Sequence, residues 1–142
     1  MWNFFPILRL WRMAYPQKAQ NAPVVLVVED EMMQRMLTVS AFDIAGFVVM
    51  EAENASRAIA ILGSSGQDIQ FMFTDIEMAG GMNGIALAAH TREHWPSIDI
   101  AVASGKLAPS AAALPDHARF FSKPYDTALV VDHIRQATLA AS

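Results

Sequence analysis

Five short apolar runs alternate with longer stretches of helical spacing, and this alternation limits the chain more than any other feature. The run VVLVV at 24–28 is continuous and β-branched, as a strand covered on both faces must be. A helical pattern follows, with Met33, Leu37, Ala41 and Ile44 as the expected inner stripe and Gly46 placed to end it. Further strands are predicted at 47–52, 69–74, 98–103 and 118–121, and further helices at 54–62, 84–94 and 126–140. Between the last two strands, 106–117 leaves room for only a brief helix after Pro109. Repeated β-then-α units predict an α/β fold: a doubly wound, five-stranded parallel sheet with helices on both faces. In such sheets, binding sites lie beyond the carboxyl ends of the strands.

The residues at those ends carry chemistry. The first strand runs into Glu29, Asp30 and Glu31, the third into Thr74-Asp75, the fourth into Ser104-Gly105, and the fifth into Ser122-Lys123-Pro124. Clustered carboxylates repel unless a cation sits among them, and an all-oxygen site of that charge suits Mg²⁺. A lysine and a hydroxyl beside it can hold phosphoryl oxygens. Phosphoryl transfer needs little more than an in-line nucleophile and neutralised equatorial charge.

In this order and spacing, VVEDE, FTDIEM, ASG and SKP resemble the four signatures of the response-regulator receiver family, over roughly residues 23–140. The resemblance implies a flavodoxin-like sheet of strand order 2-1-3-4-5. It implies that Asp75 is the phosphoacceptor, with Asp30 a direct Mg²⁺ ligand and Glu29 a neighbouring acid acting through water. It places the backbone carbonyl of Glu77 in the metal shell, Ser104 as the switch hydroxyl, and Lys123 as the family lysine. Phe120 stands where an aromatic swings between inward and outward states, although plain core packing accounts for it equally well. The Lys123–Pro124 bond is expected to be cis. In receivers the start of the first helix is where a kinase's helical phosphotransfer domain docks, which gives that role to Met32 and Met36. The implied function is a cytoplasmic signalling module, not a conventional enzyme, that takes a phosphoryl group from a histidine kinase or histidine phosphotransfer protein. With no output domain after the last helix, its signal would leave through surface contacts with a downstream protein or by onward transfer.

The chain departs from the family pattern after Asp75. Ala79 replaces a common proline, and Gly80, Gly81 and Gly84 suggest a flexible loop one residue longer than usual. The acid of Glu77 borders the path of an attacking water and would alter the lifetime of the phosphorylated state. The short 106–117 segment weakens the case for dimerisation through that face, so a monomer or weak dimer is expected.

Three other classes share parts of this pattern. Haloacid-dehalogenase-type phosphatases also use a strand-end Asp with an acid two residues on, but their nucleophile lies on the first such strand, whereas here Glu29-Asp30 comes earlier. A pseudo-receiver that binds partners without phosphorylation would not need the full set of acids, hydroxyl and lysine. The string His90-Thr91-Arg92-Glu93-His94 matches a zinc-peptidase motif, but two histidines on an exposed helix face explain it better in so small a domain.

Of the ten basic residues, Arg9, Arg12 and Lys18 lie in an acid-free leader at 1–22, which leaves seven against all fourteen acids in the domain at 23–142. That acidic balance gives no electrostatic reason to expect nucleic acid. The leader is aromatic and broken by Pro6 and Pro16, too short for the roughly 20 residues of a membrane span. It reads most simply as sequence ahead of a start at Met13. An interfacial anchor built on Trp2, Phe4, Phe5, Leu8 and Trp11, or a partner-docking arm, are the alternatives. The absence of cysteine suits a reducing compartment.

Overall fold

The computed structural model describes residues 21–106 and 113–140. The readings of the leader up to residue 20, and of the brief helix after Pro109, concern residues outside that set. The elements run β1 (Val24–Val28), α1 (Met32–Ile44), β2 (Val48–Ala52), α2 (Ala55–Ser65), a 3₁₀ turn (Gly66–Asp68), β3 (Phe71–Asp75), α3 (Gly84–His94), β4 (Asp99–Ser104), β5 (Arg119–Ser122) and α4 (Thr127–Ala140). All strand pairs are parallel and the order is β2-β1-β3-β4-β5. The doubly wound sheet expected from the sequence is therefore present.

Alternation along the strands explains why the runs are apolar throughout. Leu26, Val28, Met72, Ile100 and Val102 face one side, where Ala58, Ile61 and Leu62 of α2 and Leu87 and Ala88 of α3 cover them. Val25, Val27, Phe71, Phe73, Ala101 and Ala103 face the other, under Phe42 of α1 and Val130, Val131 and Ile134 of α4. Both faces are covered, and the polar Thr74 side chain is buried in β3 because its hydroxyl donates to the Asp75 carbonyl at 3.0 Å.

Helix ends are set by local chemistry. The Glu31 carboxylate caps α1 by accepting from the N–H groups of Met33 and Gln34. At its far end, Gly46 adopts φ +97°, Phe47 N–H donates to the Phe42 carbonyl and Gly46 N–H to that of Asp43, a Schellman arrangement. Asn54 and Asn83 cap α2 and α3. The second helix does not stop at Gly63 as the sequence suggests but continues to Ser65.

The buried face of α1 differs from the expected stripe. Met33, Leu37 and Ile44 are exposed, Ile44 at 83%. The inward arc is centred on Thr38 and Phe42. A buried threonine disguised it: the Thr38 hydroxyl is paired with the Tyr125 hydroxyl at 2.8 Å, which also accepts from Gln34 Nε2 at 3.0 Å. Once satisfied in this way, a hydroxyl can sit where the pattern calls for an apolar group. In α4, Val130, Val131 and Ile134 are inside while Leu129 lies outside.

Candidate functional site

The carboxyl ends of β1, β3, β4 and β5 meet at one edge, and this brings Glu29, Asp30, Asp75, Ser104 and Lys123 together. Glu29 is 4% exposed and Asp75 7%. Lys123 reaches in from the end of β5, with Nζ 3.0 Å from Glu29 Oε1 and 3.1 Å from Asp75 Oδ1. The first contact is a hydrogen bond. The second is an ion pair whose geometry leaves Asp75 Oδ1 without an aligned donor. Two buried carboxylates thus face one ammonium.

That imbalance moves the proton affinities. Burial pushes Glu29 up from 4.5 to about 7; the Lys123 hydrogen bond and charge pull it down, and the Asp75 charge adds to the rise. For Lys123, burial alone would lower the value, but the close contacts and charges of Glu29 and Asp75 outweigh it and the net shift is upward. The ammonium therefore stays charged, and Glu29 is the group that carries the strain of the cluster.

A divalent cation would relieve that strain. One carboxylate oxygen from each of Glu29, Asp30 and Asp75 lies within 4.8 Å of the others. Glu29 Oε2 is buried with no hydrogen-bond partner. A buried carboxylate oxygen left without a donor, in an all-oxygen cluster, fits a hard cation such as Mg²⁺. Asp30, at the exposed rim, accepts from Ala79 N–H at 3.0 Å and so links the acid pair to the loop after β3.

That loop is more ordered by contacts than its glycines suggest. Gly80 takes φ +100°, which requires glycine, but Gly84 serves another end. A Cβ there would sit 2.0 Å from the Asp75 carbonyl oxygen, so glycine permits close approach of α3 to the end of β3. Gly84 N–H donates to the Ile76 carbonyl at 2.8 Å, and Ile76 N–H to that of Ala103 at 2.9 Å. Across the loop, the Ser104 hydroxyl donates to Glu77 Oε1, while Ser104 Oγ accepts from Lys106 N–H at 3.0 Å.

Several supporting residues carried no sequence signal. Arg35 Nη1 donates to the Glu29 carbonyl at 2.8 Å while its Nε pairs with Glu51 at 3.2 Å, fixing the β1–α1 turn. Thr38, Phe73 and Tyr125 line the same small cavity as Glu29, Asp75 and Lys123. The Lys123–Pro124 bond is cis. Phe120 is half-buried against the α2/α3 core with Leu114 and Ala118. Met32 and Met36 stand exposed on α1, at 62% and 57%. His90 and His94 stack with ring centroids 4.2 Å apart, and His94 Nδ1 lies 2.9 Å from the His90 carbonyl oxygen. Among the described residues, no group of three metal-ligating side chains includes them.

A five-stranded parallel α/β domain in the order β2-β1-β3-β4-β5, with buried acids and a lysine at its carboxyl edge, is the class of fold and site that the sequence resemblance implied. Residues 25–135 match the response regulator receiver domain, and the chain belongs to that family. Receiver domains act in two-component signalling, bind Mg²⁺ at an acidic pocket, and interact with histidine kinases or phosphotransfer proteins. A receiver protein from Sinorhizobium medicae WSM419 is 28% identical, with a TM-score of 0.77 over 87% of this chain and 100% of that one. A receiver domain protein from Clostridium thermocellum superposes with a TM-score of 0.77 at 19% identity, over 84% and 96%, which speaks for the fold alone. The aerobic respiration control protein ArcA of Escherichia coli K12 is 38% identical over 73 residues, 51% of this chain but only 29% of that relative. Among the described residues no helix is long and apolar enough to cross a membrane.

Proposed function

We propose that Asp75 accepts a phosphoryl group from a phosphohistidine on a histidine kinase or histidine phosphotransfer protein, and that the acylphosphate changes the surface that a downstream partner reads. The observation that carries this reading is the convergence of Asp75, Glu29 and Lys123 in one buried cluster with an unpartnered carboxylate oxygen. A carboxylate oxygen of Asp75 forms the new bond to phosphorus. The phosphorus–nitrogen bond breaks with its electron pair on the histidine, which leaves as neutral imidazole when its other ring nitrogen carries a proton. Glu29, Asp30, Asp75 and the Glu77 carbonyl would hold Mg²⁺, which supplies charge neutralisation for the phosphoryl oxygens. Lys123 offers its ammonium to another phosphoryl oxygen, and Ser104 its hydroxyl to a third. Phe120, half-buried within β5, is the aromatic that would report the switch.

The protein would be a phosphoacceptor that catalyses only its own phosphorylation and dephosphorylation, in the cytoplasm, without nucleic acid. Labelling with a small phosphodonor in the presence of Mg²⁺ tests this directly. Wild type should incorporate one phosphoryl group and Asp75→Asn none; an unlabelled wild type, or equal labelling of both, removes the proposal. Turnover of a small phosphate ester would instead favour an Asp-nucleophile phosphatase.

Met32 and Met36 form the docking site for the phosphodonor's helical domain. Their exposure on a helix beginning beside the acids supports this, since flexible thioethers adapt to a partner helix. Met36→Glu should slow transfer from the protein donor about tenfold, a 1.4 kcal/mol effect. Labelling by the small donor should be unchanged; equal slowing of both would show that the site, not docking, was damaged.

A further inference from the structure

The Ser104 hydroxyl carries one proton, and that proton is already committed. Ser104 is 1% exposed, donates to Glu77 Oε1, and accepts from Lys106 N–H at 3.0 Å. Its backbone is equally fixed, because Lys123 N–H donates to the Ser104 carbonyl at 2.8 Å. Glu77 is held opposite by the contacts of its neighbour Ile76, whose N–H bonds to Ala103 and whose carbonyl accepts from Gly84. Ser104 is thus anchored by the sheet, and the residue before Glu77 by both β4 and the start of α3.

We infer that Glu77 is a positioning residue that latches the Ser104 hydroxyl in the unphosphorylated state, so that a phosphoryl group on Asp75 must win this hydroxyl from a carboxylate before the β4 end can rearrange. The inference rests on the proposal that Asp75 is phosphorylated. A hydroxyl has a single hydrogen to donate, so the phosphoryl oxygen and Glu77 compete for it outright. Hydrogen bonds to a charged acceptor are about twice as strong as neutral ones, so the competition is not trivial. The Glu77 carboxylate, once released, also sits near a new dianion and is repelled by it. Both effects make the switched state harder to reach than it would be with a shorter or neutral residue at 77. Glu77 thereby sets how fully phosphorylation is converted into a structural change, a role separate from any influence on the water that later removes the phosphoryl group.

The test uses beryllofluoride with Mg²⁺ as a stable phosphoryl mimic, titrated into the full chain and into Glu77→Ala, Ser104→Ala and the double variant, with circular dichroism to verify folding. Glu77→Ala should bind the mimic about tenfold more tightly than wild type, 1.4 kcal/mol by the usual conversion. In the Ser104→Ala background the same substitution should gain no more than about threefold, the share left to charge repulsion, because the hydroxyl over which the two groups compete is gone. A tenfold gain that persists without the Ser104 hydroxyl would mean that Glu77 acts through charge alone and overturns the latch. So would equal binding by wild type and Glu77→Ala. Should Glu77→Ala misfold, the near-isosteric Glu77→Gln serves in its place, with a smaller gain of the same sign. Binding of the mimic by none of the proteins would overturn phosphoryl acceptance at Asp75 and the latch with it, whereas binding by all alike overturns the latch alone.

Discussion

Replacing Lys123 with methionine isolates what its ammonium does for two buried acids, because the stem is kept and the charge removed. At 3.0 and 3.1 Å, each attraction amounts to about 5 kcal/mol at an effective dielectric of about 20. Little of that survives as net stability: the ammonium is a quarter exposed and is screened, and its own desolvation is recovered on removal. A loss of about 2 kcal/mol is expected in metal-free buffer well above neutral pH, where both acids are ionised. The pH dependence carries the proof. Glu29 is raised to about 7 in the folded protein against 4.5 unfolded, so between those values the folded state holds a proton the unfolded state has lost. Stability therefore falls as pH rises through that window and levels off above it. Without Lys123, Glu29 loses two influences that lower its value and moves higher still, extending the decline upward. Urea unfolding of both proteins with EDTA, well above and well below pH 7, should give a difference that shrinks to about 1 kcal/mol or less on the acid side. Saturating Mg²⁺ should also narrow the gap by binding the folded form. A difference that is the same at both pH values and indifferent to Mg²⁺ would refute the argument that Lys123 chiefly offsets Glu29 and Asp75.

Gly84→Ala places a methyl group 2.0 Å from the Asp75 carbonyl oxygen and 2.7 Å from its carbon, both backbone atoms, so α3 or the end of β3 must move. A loss of about 3 kcal/mol in urea unfolding is expected, and, if Asp75 is the phosphoacceptor proposed above, labelling impaired beyond the unfolded fraction; a neutral substitution would contradict the close approach. His133 packs edge-on against Phe71 and Phe121, and its value is lowered by burial and by the charge of Arg119, while Asp99 pulls the other way. Below about 6.5 the unfolded chain takes a proton that the folded His133 refuses, so this residue lowers stability as pH falls. His133→Leu should flatten the acid side of the stability profile, opposite in sign to Glu29; an unchanged acid slope would count against it.

The parts of this molecule legible in its sequence are those where one residue type has one physical use. β-Branched runs could only be strands covered on both faces, and the acids, hydroxyl and lysine at their ends had to meet once the strands were parallel. Gly46 at φ +97° was legible for the same reason. Gly84 was visible as a glycine but not as a contact, because the need for it arises from a strand that lies nine positions earlier in the chain. Flexibility and close approach leave the same letter in a sequence, and only the distance to Asp75 separates them.

The inward face of α1 is hidden in the sequence for a related reason. Hydrophobic periodicity assumes that the buried stripe is apolar, yet Thr38 is buried because Tyr125, 87 positions later, satisfies its hydroxyl. Subtracting Thr38 from the stripe rotates the apparent face onto Met33 and Leu37. A helix whose exposed side carries Met32, Met33, Met36 and Leu37, beginning one turn from the acid cluster, retains that surface for something other than its own core. The Glu77–Ser104 contact was illegible for the complementary reason. Its two residues are 27 positions apart on different strand ends, and each already had a role that the family resemblance supplied. Long-range pairing of side chains is where the sequence pattern is silent, and here it is also where the chain's individual behaviour is set.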